Sequence, residues 1–215
     1  MTVAGLLLAA GAGRRLGRPK ALVELDGEPL VRRAVRLLRA GGCPLVHVVA
    51  GAGADVLPEL PGAVLVANPR WREGLGTSLR RGLASLPGHV DAAVVVLVDQ
   101  PALDPAAVRR VCAAHTAGAP VAVATYAGRI GHPVLLSRAT WSLLAPYATG
   151  DRGARDFLRA RADLVTRMPC DGAGSPADLD TPADLARAIA RTAGGGADDR
   201  VAARRHQEWR NGRPR

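Results

Sequence analysis

Val3-Ala-Gly-Leu-Leu-Leu-Ala9-Ala-Gly11-Ala-Gly13-Arg-Arg15-Leu-Gly17-Arg-Pro-Lys20 passes directly from an unbroken apolar run to a glycine loop loaded with positive charge. Continuous rather than alternating hydrophobicity over Val3–Ala9 is the pattern of a strand covered on both faces. In the loop that follows, glycines at 11, 13 and 17 let backbone N–H groups approach an anion closely, and Arg14, Arg15, Arg18 and Lys20 add charge. A buried strand that empties into phosphate-binding chemistry is the opening of an α/β fold. The run lacks a basic leader and is too short to span a bilayer, so it reads as neither signal peptide nor membrane helix.

Outward from this segment the same alternation repeats. Further apolar runs of strand length occupy Leu45–Ala50, Ala63–Ala67, Ala92–Val98, Val121–Thr125 and Val134–Leu136. Helical spacing fills Pro29–Ala40, Ser78–Leu86, Pro105–Ala117 and Pro182–Thr192, and Asp151–Ala162 also reads as a helix, followed by a strand-like Leu164–Met168. Asp104-Pro105 and Thr181-Pro182 each set a capping side chain before a proline at the first helical position. Strands alternating with helices predict a Rossmann-like three-layer α/β/α sandwich with a mostly parallel sheet. The domain is expected over 1–193, ending near Gly194-Gly-Gly196, with a flexible Arg-rich tail over 194–215.

Composition narrows the function classes. Of 215 residues, 48% are hydrophobic and 22% charged, which excludes wholesale disorder, and only 3% are aromatic, which disfavours a stacking platform for single-stranded nucleic acid. The net charge of +10 comes partly from the tail, and the rest is scattered as pairs such as Arg32-Arg33 and Arg80-Arg81, so a nucleic-acid partner is not expected. Lys20 is the only lysine in a chain that otherwise uses arginine. Cys43, Cys112 and Cys170 are far apart, without a Cys-x-x-Cys pair, and read as reduced thiols of a cytoplasmic protein.

The first loop is neither of two familiar nucleotide motifs. Its G-x-G-x-x-x-G spacing differs from the dinucleotide fingerprint, and the second strand ends in Ala50-Gly51 without the acid that would hold a ribose. Lys20 precedes Ala21 rather than Ser or Thr, so it is not a P-loop lysine. Across the fold, Asp99-Gln100-Pro101 ends a central strand where α/β sheets bind ligands, and Asp99 reads either as a hard ligand for Mg²⁺ or as a turn residue before Pro101. Asp180 either completes that metal site or caps the last helix, a task Thr181 could perform instead. Asp178 and Asp184 read as surface. Three more loops carry polar groups toward one end of the sheet: Asn68 to Leu79, with Gly76, Thr77 and Ser78 opening a helix; Gly131-His132-Pro133, an imidazole between a glycine turn and a strand; and Gly150-Asp151-Arg-Gly-Ala-Arg155.

Taken in order, Leu8-Ala9-Ala10-Gly11-x-Gly13-x-Arg15-Leu-Gly-x-x-Lys20, Asn68-x-x-Trp71-x-x-Gly74-Leu-Gly76-Thr77-Ser78-Leu79, Asp99-Gln-Pro101, Gly131-His132-Pro133, Gly150-Asp151-x-Gly-Ala-Arg155 and Asp180-Thr-Pro182 resemble the MobA-like nucleotidyltransferases, in particular their molybdenum-cofactor cytidylyltransferase branch. The resemblance covers residues 3–192. It implies a nucleoside triphosphate in the first loop, held by Leu8, Ala9, Ala10, Gly11, Gly13, Arg15 and Lys20, with Lys20, Arg15 and Asp99 acting in catalysis. It implies Mg²⁺ on Asp99 and Asp180, and an acceptor of the molybdopterin class contacted by Asn68, Gly76, Thr77, Ser78, His132, Asp151 and Arg155. Ala-Ala-Gly in the first loop resembles the members that use CTP, and a molybdenum hydroxylase is the implied partner for the product. Two other readings accompany it: a nicotine-blue-type oxidoreductase using NAD(P)H, and a non-catalytic carrier of the cofactor. The chain departs from the family pattern at Val98, where Gly usually precedes the aspartate, and at Leu75 and Thr77, where Met and Ser are common.

Overall fold

The computed structural model describes residues 1–192; the expected domain end at 193 and the Arg-rich tail over 194–215 lie outside the described residues. In chain order the elements are β1 (Val3–Ala9), β2 (Glu24–Leu25), β3 (Glu28–Pro29), α1 (Leu30–Ala40), β4 (Leu45–Ala50), β5 (Ala63–Ala67), α2 (Leu75–Ser85), β6 (Ala92–Leu97), α3 (Pro105–Thr116), β7 (Val121–Tyr126), β8 (Arg129–Ser137), α4 (Arg138–Leu144), α5 (Arg155–Ala160), β9 (Val165–Pro169) and α6 (182–192). The expected three-layer sandwich is what forms. A seven-stranded sheet runs β5-β4-β1-β6-β8-β7-β9, parallel throughout except that β8 is antiparallel to both of its neighbours.

Both faces of the sheet are covered, and this accounts for the unbroken apolar runs. Leu7 and Ala9 of β1 join Val31, Val35 and Leu38 of α1 and Val108 and Val111 of α3 in one core layer. Leu6 and Leu8 point the other way, to Leu79 and Leu83 of α2, Leu144 of α4 and Phe157 of α5. With side chains alternating between faces, a strand buried on both sides must be apolar at every position. Helix α1 buries Leu30, Val31, Ala34, Val35 and Leu38, the spacing of one helical face, and leaves arginines outside.

Capping works as the dipeptides predict. Asp104 accepts a hydrogen bond from the Ala106 N–H at 2.7 Å, with Pro105 at the first helical position of α3. At α6, Thr181 Oγ1 accepts from the Asp184 N–H (3.2 Å) while Asp184 Oδ2 accepts from the Thr181 N–H (2.8 Å), a reciprocal capping box with aspartate in the usual glutamate place. Asp184 is therefore a capping residue rather than a free surface acid, and Asp180 is released from capping.

Two expectations need correction. Gly131-His132-Pro133 is not a turn ahead of a strand but part of β8, which begins at Arg129; Gly131 pairs with Ala124 of β7, and the register shift between Val123 and Ala124 takes up His132 and Pro133. Asp151–Ala162 is not one helix. It consists of a short turn at Gly150–Arg152, the brief α5, and another turn at Ala162–Leu164, because Gly153 takes a positive φ of 56° that breaks the helical path.

Candidate functional site

In the order β5-β4-β1-β6-β8, the chain leaves β1 toward β4 and leaves β6 toward the other half of the sheet. The loops after β1 and β6 therefore diverge, opening a crevice at the carboxyl ends of the strands, where open α/β sheets bind ligands. The first loop is built by its glycines. Gly13 holds φ at +59°, a Cβ on it would lie 2.0 Å from the Arg18 carbonyl oxygen, and Leu16 N–H closes the turn on the Gly13 carbonyl at 2.8 Å. This folds the arginines outward and turns the chain back so that Lys20 faces the end of β6. Leu8, Ala9 and Ala10 are buried at the end of β1, where the Leu8 and Ala10 carbonyls accept from the Val98 and Ala52 N–H groups, while Gly11 is exposed.

Lys20 is the centre of the site. Its ammonium donates to Asp99 Oδ2 at 2.6 Å and, at still closer range, to Asp180 Oδ1. Burial opposes the charge, but hydrogen bonds and attraction from Asp180 and Asp99 outweigh it, and the lysine pKa is raised above its ordinary value. Arg15 stands farther out, its side chain 76% exposed and its guanidinium 4.0 Å from Asp180 Oδ2. Asp99 Oδ1 is buried without a hydrogen-bond partner among the described residues.

The pairing of residues 79 and 160 positions away from Lys20 depends on a tether absent from the sequence reading. Leu179 N–H donates to the Asp99 carbonyl at 2.7 Å, and the Gln100 amide donates to the Pro176 carbonyl (3.1 Å) and to Asp178 Oδ1 (2.9 Å). These bonds lay the segment before α6 against the turn after β6 and bring Asp180 opposite Asp99. Asp178 is exposed, as expected, but it also belongs to this tether. Partial desolvation and the nearby charges of Asp99 and Asp180 raise its carboxyl pKa, with the Gln100 bond acting against them.

Beside these carboxylates lies a cleft of about 1010 Å³ between α2 and α5. Its floor is apolar, with Leu8, Val95, Leu97 and Leu136, and its rim carries Arg129, Arg152, Arg155, Arg159 and Arg167. Among the sequence-predicted residues, Leu8, His132, Asp151 and Arg155 line it. Burial pushes the His132 imidazole down to about 4, with Asp99 opposing the shift and Arg155 adding to it, so the ring is neutral at pH 7. Tyr126 anchors this stretch by donating to the His132 carbonyl at 3.0 Å.

Asn68, Gly76, Thr77 and Ser78 sit elsewhere. The Asn68 amide donates to both hydroxyls, Thr77 Oγ1 and Ser78 Oγ, at 3.0 Å, and all three side chains are buried. Gly76 lies against the backbone of Ala148, where a Cβ would come within 2.4 Å. This group fixes the start of α2 and through it sets Leu75 and Leu79 on the cleft wall. The rim arginines at 129, 159 and 167 were not foreseen. They come from three separate elements, and nothing in their local sequence distinguishes them from the solvated arginines elsewhere.

A glycine loop, an ammonium and two carboxylates thus meet at the switch point of a mostly parallel sheet. Residues 5–165 match the family model described as the MobA-like NTP transferase domain, and the chain belongs to that family. It is 36% identical over 200 residues to the nicotine blue oxidoreductase of Paenarthrobacter nicotinovorans, covering 87% of this chain and 96% of that one. To the molybdenum cofactor guanylyltransferase of Rhodobacter capsulatus it is 36% identical over 203 residues, covering 87% and 95%. Among solved structures it resembles Rv0371c of Mycobacterium tuberculosis H37Rv, with a TM-score of 0.78, 30% identity and coverage of 88% and 98%. Rv0371c is also solved in complex with manganese, and that structure aligns with a TM-score of 0.73 at 28% identity. Among the described residues no helix is long and apolar enough to cross a membrane.

Proposed function

We propose that this protein transfers a cytidylyl group from CTP to a terminal phosphate of a molybdopterin-type acceptor, releasing pyrophosphate. The observation that carries this reading is the convergence of Lys20, Asp99 and Asp180 at the mouth of the glycine loop. A phosphate oxygen of the acceptor forms a bond to the α-phosphorus of CTP as the bond to the pyrophosphate oxygen breaks. The attacking oxygen is already an anion at neutral pH, so the reaction needs alignment and charge neutralisation rather than a general base.

In this reading the backbone of Leu8 to Gly13 cradles the triphosphate, and Arg15 and Lys20 neutralise charge on the α-phosphate and the leaving pyrophosphate. Asp99 and Asp180 fit a divalent cation: both offer hard oxygens, they already share one cation, and Asp99 Oδ1 is buried and has no partner among the described residues. Among the described residues no third such ligand joins them, which suits Mg²⁺, an ion that keeps water and substrate phosphate in its shell. Bound there, it adds positive charge to the triphosphate. The cleft suits an acceptor with a flat apolar body and an anionic end, with Arg155 and its neighbours receiving the anion, neutral His132 and Asp151 lining the body, and Asn68, Gly76, Thr77 and Ser78 acting by holding the wall. The preference for CTP rests on Ala9-Ala10-Gly11. A molybdenum hydroxylase is the class of protein that would receive the product.

One observation favours a second reading, the relative from Paenarthrobacter nicotinovorans named as an oxidoreductase. Calorimetric titration with CTP, GTP, ATP and NADH, each with and without Mg²⁺, separates the two. Transfer predicts CTP binding that requires Mg²⁺ and disappears in Asp99→Ala. Binding of NADH without metal, and no response to any triphosphate, would overturn it. A preference for GTP would correct the base while leaving nucleotidyl transfer in place.

A further inference from the structure

The ammonium of Lys20 lies on the same two carboxylates, Asp99 and Asp180, that are given above to a divalent cation. The Lys20 and Asp99 side chains are only 17% and 16% exposed, and the ammonium already sits on Asp99 Oδ2 and Asp180 Oδ1, so a divalent cation bound to those oxygens has to displace it. Two acids drawn onto one ammonium, Asp99 with its Oδ1 out of reach of solvent and Asp180 half-exposed, favour a positive partner at all times, since a poorly solvated charge is costly to leave uncompensated. Lys20 is also built to leave. Its backbone is fixed in a turn, with its N–H on the Gly11 carbonyl at 3.4 Å and its carbonyl accepting from Val23 at 3.1 Å, whereas the four-carbon stem can swing toward the glycine loop without moving the chain.

We propose that Lys20 is a cation latch on the metal site: it neutralises Asp99 and Asp180 while the nucleotide loop is empty, and gives them up to a divalent metal when nucleotide phosphates in that loop draw its ammonium away. Metal entry is therefore conditional on nucleotide, and the order of binding follows from one side chain having two alternative partners. This rests on the nucleotide-binding reading above, but the competition between ammonium and metal can be measured without any nucleotide.

Mn²⁺ is the probe, with free ion followed by electron paramagnetic resonance. Wild-type protein without nucleotide should bind Mn²⁺ weakly, and Lys20→Met should bind it at least about tenfold more tightly, the effect of removing one charge-assisted contact that the metal must otherwise displace. Equal or weaker binding by a folded Lys20→Met overturns the latch. A second measurement needs no variant, because Lys20 is the only lysine in the chain. Acetylation by an N-hydroxysuccinimide ester, read at Lys20 by peptide mass spectrometry, should increase in step with Mn²⁺ occupancy as the ammonium is displaced. Labelling that stays flat while Mn²⁺ saturates the wild-type site overturns the proposal. CTP titrated into the wild-type protein with Mn²⁺ forms a separate arm. Because the triphosphate itself ligates Mn²⁺, tighter binding alone does not count for the latch, whereas binding of both to the protein with no mutual effect counts against it. A failure to bind any nucleotide would sink the transfer reading and with it the nucleotide trigger.

Discussion

Replacing Gly13 with alanine tests the architecture of the first loop more sharply than removing a charge does, because Gly17 provides an internal control. Both residues have left-handed backbone, φ +59° at Gly13 and +71° at Gly17, which an L side chain resists by about 1 kcal/mol. At Gly17 nothing lies within 4 Å of an added Cβ, so Gly17→Ala should show that cost alone, a fall in melting temperature of about 2–4 °C for a chain of this size. At Gly13 the Cβ would stand 2.0 Å from the Arg18 carbonyl oxygen, against a floor of 3.0 Å for real contacts, so the two sides of the loop must part by about 1 Å. That displacement falls between the phosphate cradle and Lys20, and an ångström of misplacement costs about 100-fold in turnover. The assays are thermal unfolding and pyrophosphate release measured on both variants. Gly13→Ala should lose about 100-fold in kcat/KM beyond any loss in Gly17→Ala; similar activity in the two variants would refute the claim that this close approach positions Lys20.

Three further substitutions separate structural from chemical roles. Asn68→Ala strips the shared partner from two buried hydroxyls and should destabilise the fold by about 1–3 kcal/mol in chemical denaturation, with KM for the acceptor changed far less than stability. Arg155→Ala should raise the acceptor KM about tenfold or more and leave CTP affinity, measured by calorimetry, unaltered, since it removes a charge from the cleft rim and not from the glycine loop. His132 has its folded pKa lowered to about 4 from 6.5, so the unfolded chain binds the extra proton between those values. The wild-type protein should therefore lose stability as pH falls from 6.5 toward 4, and His132→Gln should flatten that limb of the profile; an unchanged slope would show that the imidazole is not held neutral.

How much was legible in the sequence follows from the range of each interaction. Strands buried on both faces announce themselves, and β1 and β4 lie where their apolar runs predict because burial decides them; β5 also lies where its run predicts, although at the sheet edge its Val64 and Leu65 are exposed. Strand β8 was read too short, since Gly131 and Pro133 interrupt its pattern and only its pairing with β7 and β6 keeps it in the sheet. Helix α4 was missed because Ser137 before it makes no side-chain cap and no proline marks its start. In the site, Lys20 stood out as the lone lysine and Asp99 by its place at a strand end. The tether of Gln100 to Asp178 spans 78 positions with no local signature, and the arginine rim exists only once β8, β9 and the turns around α5 are brought together.

The central claim is that the Lys20, Asp99 and Asp180 site moves a nucleotidyl group to a phosphate. Phosphorus NMR of the protein with CTP, Mg²⁺ and molybdopterin tests it most directly. The account predicts that pyrophosphate and a new diphosphate-linked product appear together, one for each CTP consumed, and that both vanish with Asp99→Ala. Intact CTP, and intact GTP in a parallel sample, beside an unmodified acceptor phosphate, with the same protein oxidising NADH in a separate sample that holds a quinone-like dye, would contradict it.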